Sequence, residues 1–228
     1  MTSMIEIPAR DGKAIPAYFA HAKALHSPGL VVIPEIFGIN ASMRQAADDW
    51  SAAGFHVVVP DIFWRQEAGL ALEPRNPDDF ARGVALMQAM DEAQTVQDLE
   101  QVAGWLAEHC GHRDISALGY CLGGRLVVHM AAGSSIRCAV SYYGVGLDKL
   151  VPGMPGEGPR VLLHIAEKDA HVPAEARQVL LDEVARRSHW EAYVYPGCDH
   201  AFARPGGEHE DSAAAATAKQ RTLAFLAA

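Results

Sequence analysis

The sequence predicts a doubly wound α/β fold: a mostly parallel sheet flanked by helices, with an antiparallel hairpin at the N-terminus. Short apolar, β-rich runs alternate with longer stretches of helical spacing, which is the pattern of strand–helix–strand crossovers. The residues with chemical potential also fall just past the apolar runs, where open α/β sheets bind ligands.

In chain order, Met4 to Ile7 and Ala14 to Phe19 alternate about the turn pair Asp11-Gly12 and form the hairpin. Buried strands are expected at Leu30 to Pro34, His56 to Pro60, Ile115 to Gly119, Cys138 to Tyr143, Arg160 to Ile165 and Trp190 to Tyr195. Helices are expected over Ser42 to Ala53, Asp78 to Ala89, Ala93 to Glu108, Leu122 to Ala132, Ala174 to Arg187 and Ser212 to Leu226. In the fifth helix Ala176, Val179, Leu180 and Val184 follow i, i+3, i+4, i+8 and predict one apolar stripe. The Gly/Pro-rich stretch Val151 to Pro159 is expected to be a surface loop, and the whole chain, residues 1–228, one domain.

Of the 228 residues 50% are hydrophobic, enough for a substantial core. The net charge of −9 has no basic block within it, which argues against nucleic acid as a partner. Met1 to Ala20 lacks a leader pattern and no run is long and apolar enough to span a bilayer, so a soluble cytoplasmic protein with no membrane partner is expected. The absence of an obvious unmatched apolar helix face leans towards a monomer. The four cysteines at 110, 121, 138 and 198 have no paired spacing and are expected to be reduced. His109-Cys110-Gly111-His112 and Cys198-Asp199-His200 have no matching second cluster, so no metal site is expected.

The most informative segment is Gly119-Tyr120-Cys121-Leu122-Gly123-Gly124. A strand ending in glycine, a lone nucleophile and a glycine-rich helix start together make the sequence form of a nucleophile elbow, with cysteine in place of serine. At a helix N-terminus the thiolate is favoured over the thiol. Past the strand ending at Ile165 comes Asp169, and past the strand ending at Tyr195 comes His200. Nucleophile, acid and histidine thus occur in the order 121, 169, 200, the order of α/β-hydrolases. His200 would move the proton and Asp169 would hold its tautomer. His171 and Asp199 are rivals: the first sits just before Pro173 at the entry to a helix, and the second suits a turn. After the first buried strand, Glu35 is a candidate proton acceptor for the thiol. The N–H groups of Ile36 and Leu122 are candidates for an oxyanion hole.

These segments, together with Pro34-Glu35-Ile36-Phe37-Gly38, Pro60-Asp61-Ile62-Phe63, Tyr142-Tyr143-Gly144, Val172-Pro173 and His200-Ala201-Phe202 followed by Arg204, resemble the dienelactone hydrolase (carboxymethylenebutenolidase) family over essentially the whole chain. The resemblance implies an α/β-hydrolase fold and a Cys121–His200–Asp169 triad in which Glu35 takes the thiol proton as substrate arrives. It also implies cofactor-free hydrolysis of a dienelactone through an acyl-thioester. A thiolate suits a stabilised enolate leaving group better than an alkoxide, so activated esters and enol lactones are favoured. Substrate contacts are implied for Arg204, Phe37 and Tyr143.

Family enzymes hold the substrate carboxylate with two arginines. Arg204 matches one of them, while Phe80 stands at the position of the other, with Arg82 two residues on. Two residues are about 200° of helix rotation, which turns Arg82 to the opposite face. Val84 and Met87 replace expected aromatic pocket residues, and Ala201 stands where the family motif has serine. An esterase or thioesterase with a more apolar substrate is therefore a second reading. A non-catalytic ligand-binding or thiol-sensing protein, with Cys121 as the sensor, is the reading from a different class.

Overall fold

The computed structural model describes residues 2–133 and 135–228; Met1, at the head of the segment read for a leader, and Ser134 lie outside them. The chain divides into two compact units, residues 1–117 and 118–228.

The first unit runs β1 (Thr2–Pro8), β2 (Ala14–Ala20), β3 (Gly29–Ile33), α1 (Ala41–Ala52), β4 (His56–Pro60), α2 (Pro77–Gln88), α3 (Glu92–Cys110) and into β5 (Ile115–Tyr120). Its strand order is β1-β2-β4-β3, with β5 next. β1 and β2 form the expected hairpin, with Ile5 opposite Ala17. β2 runs antiparallel to β4, whereas β3 and β4 are parallel. Every residue of β3 and β4 is buried, which is why these runs are continuously apolar rather than alternating. The helix starts are set by short polar side chains. Asn40 accepts from the Met43 N–H, Asn76 from those of Asp78 and Asp79, and Asp91 from that of Gln94. Arg65 ties the hairpin turn to α3. Its guanidinium lies over the Trp64 ring and bonds Asp11 at 2.7 Å and Asp98 at 2.6 and 2.8 Å.

The second unit continues from β5 through α4 (Leu122–Met130), β6 (Cys138–Tyr142), α5 (Leu147–Leu150), β7 (Arg160–Ala166), α6 (Ala174–Ala185), β8 (Trp190–Tyr195) and α7 (Ser212–Ala227). The strand order is β5-β6-β7-β8. β6, β7 and β8 are parallel, with Cys138 beside Arg160 and Val161 beside Trp190. Thr222 of α7, fully buried, bonds the Tyr142 hydroxyl at 2.8 Å and His164 Nε2 at 2.9 Å, and His164 Nδ1 meets the Tyr195 hydroxyl at 2.8 Å. Burial drives the His164 pKa down to about 3, with the Arg221 charge adding to it, so this ring is neutral at physiological pH.

Several expected boundaries move. The strand expected to reach Tyr143 ends at Tyr142, because Tyr143 turns to φ 41°. α4 stops at Met130 and α6 at Ala185. The Gly/Pro-rich loop opens with a 3-10 turn at Val151–Gly153 that follows α5, a helix of one turn. The largest departure is the inner face of α6. Leu180 is buried as expected, but Val179 is 37% exposed, and the second residue the helix buries is Glu183. Arg187, also buried, pairs with the Glu183 carboxylate and donates to the Val151 carbonyl at 3.1 Å, so an ion pair occupies the ground expected for Val179 and Val184.

Thr222→Val keeps the shape but leaves two buried polar partners unmatched. Urea unfolding is expected to show a loss of about 1–3 kcal/mol with an unchanged m-value. Gly104 lies exposed within α3, and a Cβ there meets nothing within 4 Å. Gly104→Ala is accordingly expected to raise stability by about 0.5–1 kcal/mol in the same measurement.

Candidate active site

The site is built where three strands of the second unit end. β5 delivers Cys121 at φ 54° and ψ −114°, outside the regions ordinary residues adopt. The turn is held on both sides of that residue. The Cys121 N–H donates to the Tyr142 carbonyl at 3.0 Å, and its own carbonyl accepts from Arg125 N–H at 3.2 Å as α4 begins. A Cβ on Gly119 would overlap the Gly123 carbonyl, and one on Gly124 would lie 2.8 Å from Gly144 Cα. Glycine at 119 and 124 is what lets the chain reverse this tightly and seat the elbow on the end of β6.

Asp169 follows β7 and His200 follows β8, and main-chain bonds join the two loops. Glu167 N–H donates to the Tyr195 carbonyl at 3.1 Å, Lys168 N–H to the Cys198 carbonyl at 2.9 Å, and Gly197 N–H to the Glu167 carboxylate at 2.8 Å. Against this frame His200 Nδ1 meets Asp169 Oδ2 at 2.7 Å, with the Asp169 side chain wholly buried. The other carboxylate oxygen accepts from His171 N–H at 2.8 Å. The Asp169 carboxylate thus orients the ring and leaves Nε2 for the Cys121 side chain, with which His200 is also hydrogen-bonded. Burial of His200 works against its charged form, but the neighbouring Cys121 charge and the bond to Asp169 outweigh it and raise the pKa to about 10.

Aromatic rings surround the imidazole. Tyr143 meets it edge to face at 5.1 Å and His171 at 4.7 Å, while Phe202 stacks on Tyr195 behind. Tyr143 and Ala201 share positive φ with Cys121, at 41° and 65°. The described non-glycine residues with positive φ are therefore the thiol, the ring packed on the histidine, and the residue after the histidine. Neither Tyr143 nor Ala201 belongs to a residue type that signals such a turn. The His171 ring contact was equally hidden, because spacing alone made His171 a rival of His200 rather than its neighbour.

Leu122 opens α4 directly after the thiol. Arg204 is half-buried in the turns that follow His200, its N–H bonded to the Ala201 carbonyl at 3.0 Å. The remaining candidates belong to the first unit. Glu35, Ile36 and Phe37 follow β3 and are 2–5% exposed. On α2, a Cβ at Gly83 would lie 2.7 Å from the Ile36 carbonyl, so this face of the helix packs on that loop. Phe80, one turn earlier, is 43% exposed and lies 6.1 Å from the Phe37 ring. Arg82 points elsewhere, into an exposed ion pair with Glu67. Of the two α2 candidates, Phe80 is the one on the Ile36–Phe37 side. Among the described residues no three His, Cys, Asp or Glu side chains are arranged to hold a metal ion, and no helix is long and apolar enough to cross a membrane.

The imidazolium predicts how stability depends on pH. His200 keeps its proton to about pH 10 when folded but loses it near 6.5 when unfolded, so its stabilisation is complete below about 6.5 and is lost as pH rises toward 10. Thermal melts between pH 6.5 and 10 are expected to fall more steeply for the unmodified protein than for His200→Gln.

Residues 15–228 match the model of the dienelactone hydrolase family. An Azospirillum brasilense relative carrying the carboxymethylenebutenolidase name is 42% identical, over 97% of this chain and 96% of its own. Carboxymethylenebutenolidase 1 of Cupriavidus pinatubonensis is 34% identical, over 98% and 95%. Among solved structures, a Klebsiella pneumoniae chain described under the dienelactone hydrolase name superposes with a TM-score of 0.84 at 27% identity, covering 100% of this chain and 98% of that one.

Proposed function

The chain belongs to the dienelactone hydrolase family and is a hydrolase of carboxylic ester bonds; from that premise we propose that it opens a small activated lactone or ester through an acyl-enzyme on Cys121. The observation that carries the reading is the His200 ring, bonded to Asp169 at 2.7 Å on one side and to the Cys121 side chain on the other.

The Cys121 thiolate attacks the substrate carbonyl, and negative charge develops on its oxygen. The N–H of Leu122, among the first in α4, receives that charge, and the family resemblance assigns the second donor to Ile36. As the intermediate collapses, the C–O bond breaks and the enolate leaves with the His200 proton. A thioester remains, and neutral His200 then takes a proton from the attacking water. Collapse of the second intermediate releases the acid and restores the thiolate and imidazolium, with Asp169 holding Nδ1 throughout. Glu35 accepts the thiol proton when Cys121 is protonated as substrate arrives. The chemistry uses only side chains, backbone and water.

A carboxylate on the substrate would pair with Arg204, and Tyr143 and Phe37 would flank the acyl group. A second reading changes the substrate to a neutral, more apolar ester. It is favoured by Phe80 packing toward Phe37 while Arg82 is engaged by Glu67. Loss of one of two charged hydrogen bonds costs about 1.5–3 kcal/mol in binding an anionic substrate.

The test is turnover of cis- and trans-dienelactone beside p-nitrophenyl acetate, with the unmodified protein and Cys121→Ala. Lactone hydrolysis that falls about a thousandfold or more in kcat/KM on the substitution is the expected result. Cys121-dependent cleavage of the activated ester alone would keep the mechanism and select the neutral substrate. Activity independent of Cys121 on every substrate would overturn the proposal.

A further inference from the structure

We propose that His171 is a positioning residue for His200, an aromatic clamp on the solvent side of the catalytic imidazole. The inference rests on the Cys121–His200–Asp169 reading above. The terminal torsion of histidine is broad, and the bonds to Asp169 and Cys121 both lie near the ring plane, so they leave the ring free to tilt about the line that joins them. Here two further rings narrow that freedom, Tyr143 at 5.1 Å and 65° and His171 at 4.7 Å and 73°. The Tyr143 side is fixed, since that residue is buried and its N–H is bonded to the His164 carbonyl at 2.8 Å.

The His171 side is fixed differently. Its side chain is exposed, but its backbone is not free. The His171 N–H donates to Asp169 Oδ1 at 2.8 Å, and the next N–H, that of Val172, donates to the Asp169 carbonyl at 3.1 Å. Val172 itself is 4% exposed and anchors the turn. The Asp169 carboxylate therefore sets two things at once. One oxygen holds His200 by Nδ1, and the other folds the following residues so that the His171 ring arrives against the same imidazole.

An exposed ring contributes little to the core, so removing it should register in the reaction rather than in folding. Small errors in the placement of a proton-transfer group lower the rate of the chemical step and leave ground-state binding nearly unchanged.

The experiment compares kcat and KM on p-nitrophenyl acetate for the unmodified protein, His171→Ala, His171→Phe and Cys121→Ala, with rates normalised to active sites titrated by the pre-steady-state burst. His171→Ala is expected to lower kcat about three- to tenfold, the scale of one lost edge-to-face pair. KM should stay within about twofold, and His171→Phe, which keeps a ring but no titrating nitrogen, should restore kcat to within about twofold. Melting temperatures within about 2 °C of the unmodified protein check that folding is intact. Wild-type kcat in His171→Ala, or equal impairment of the alanine and phenylalanine variants, overturns the clamp. Turnover that survives Cys121→Ala would instead sink the triad reading, so the two failures are distinguishable.

Discussion

The second unit depends on one close approach. β5 reverses into α4 over a single residue, and the reversal is possible only because Gly119 and Gly124 bring backbone against backbone where a methyl group would collide. The cost is a cysteine held at φ 54°, a conformation worth about 1–3 kcal/mol of strain that surrounding bonds must over-determine. They do so from β6, through the Tyr142 carbonyl, and from α4, through Arg125. The same neighbourhood carries the other two described positive-φ residues that are not glycine, Tyr143 and Ala201. Strain is thus gathered on the three turns that present Cys121, the ring packed on His200, and the residue after His200.

What resists that strain lies beneath it in the second unit. Thr222, His164, Tyr142 and Tyr195 form a buried hydrogen-bonded chain joining α7 to β6, β7 and β8. Such a chain is favourable only when each member is satisfied, which makes the spacing of these strand ends hard to alter. Arg221 adds to it from α7, lying over the Tyr193 and Tyr195 rings at 4.0 and 5.3 Å. The two loops that carry Asp169 and His200 are then bonded to each other by three N–H groups. The 2.7 Å bond between their side chains is the end product of that bracing.

Most of the architecture was legible because burial writes itself into composition. β3 and β4 are apolar at nearly every position since both faces are covered. The elbow was legible because only glycine fits its flanks. The inner face of α6 was not, because periodicity counts apolar residues and cannot know that Arg187 will turn inward to Glu183 and the Val151 carbonyl. Nor was the surrounding of the imidazole: the turn at Tyr143 and the ring contact of His171 come from packing between separate strand ends, and no local spacing encodes either.

α2 carries the sharpest contrast between what local geometry decides and what it leaves open. Gly83 against the Ile36 carbonyl fixes the rotation of the helix about its axis, since nothing larger fits there. Once that is set, helical geometry assigns Phe80, three residues earlier, to the same side as Gly83 and Arg82, one residue earlier, to a different one. Glu67 then meets Arg82 on the exposed side. A guanidinium cannot return to the Phe80 side without rotating Gly83 off the loop, so the apolar character of that side is set by backbone packing as well as by the identity of residue 80. Replacing Phe80 changes the chemistry there directly, whereas moving Arg82 would require the first unit to repack around Ile36.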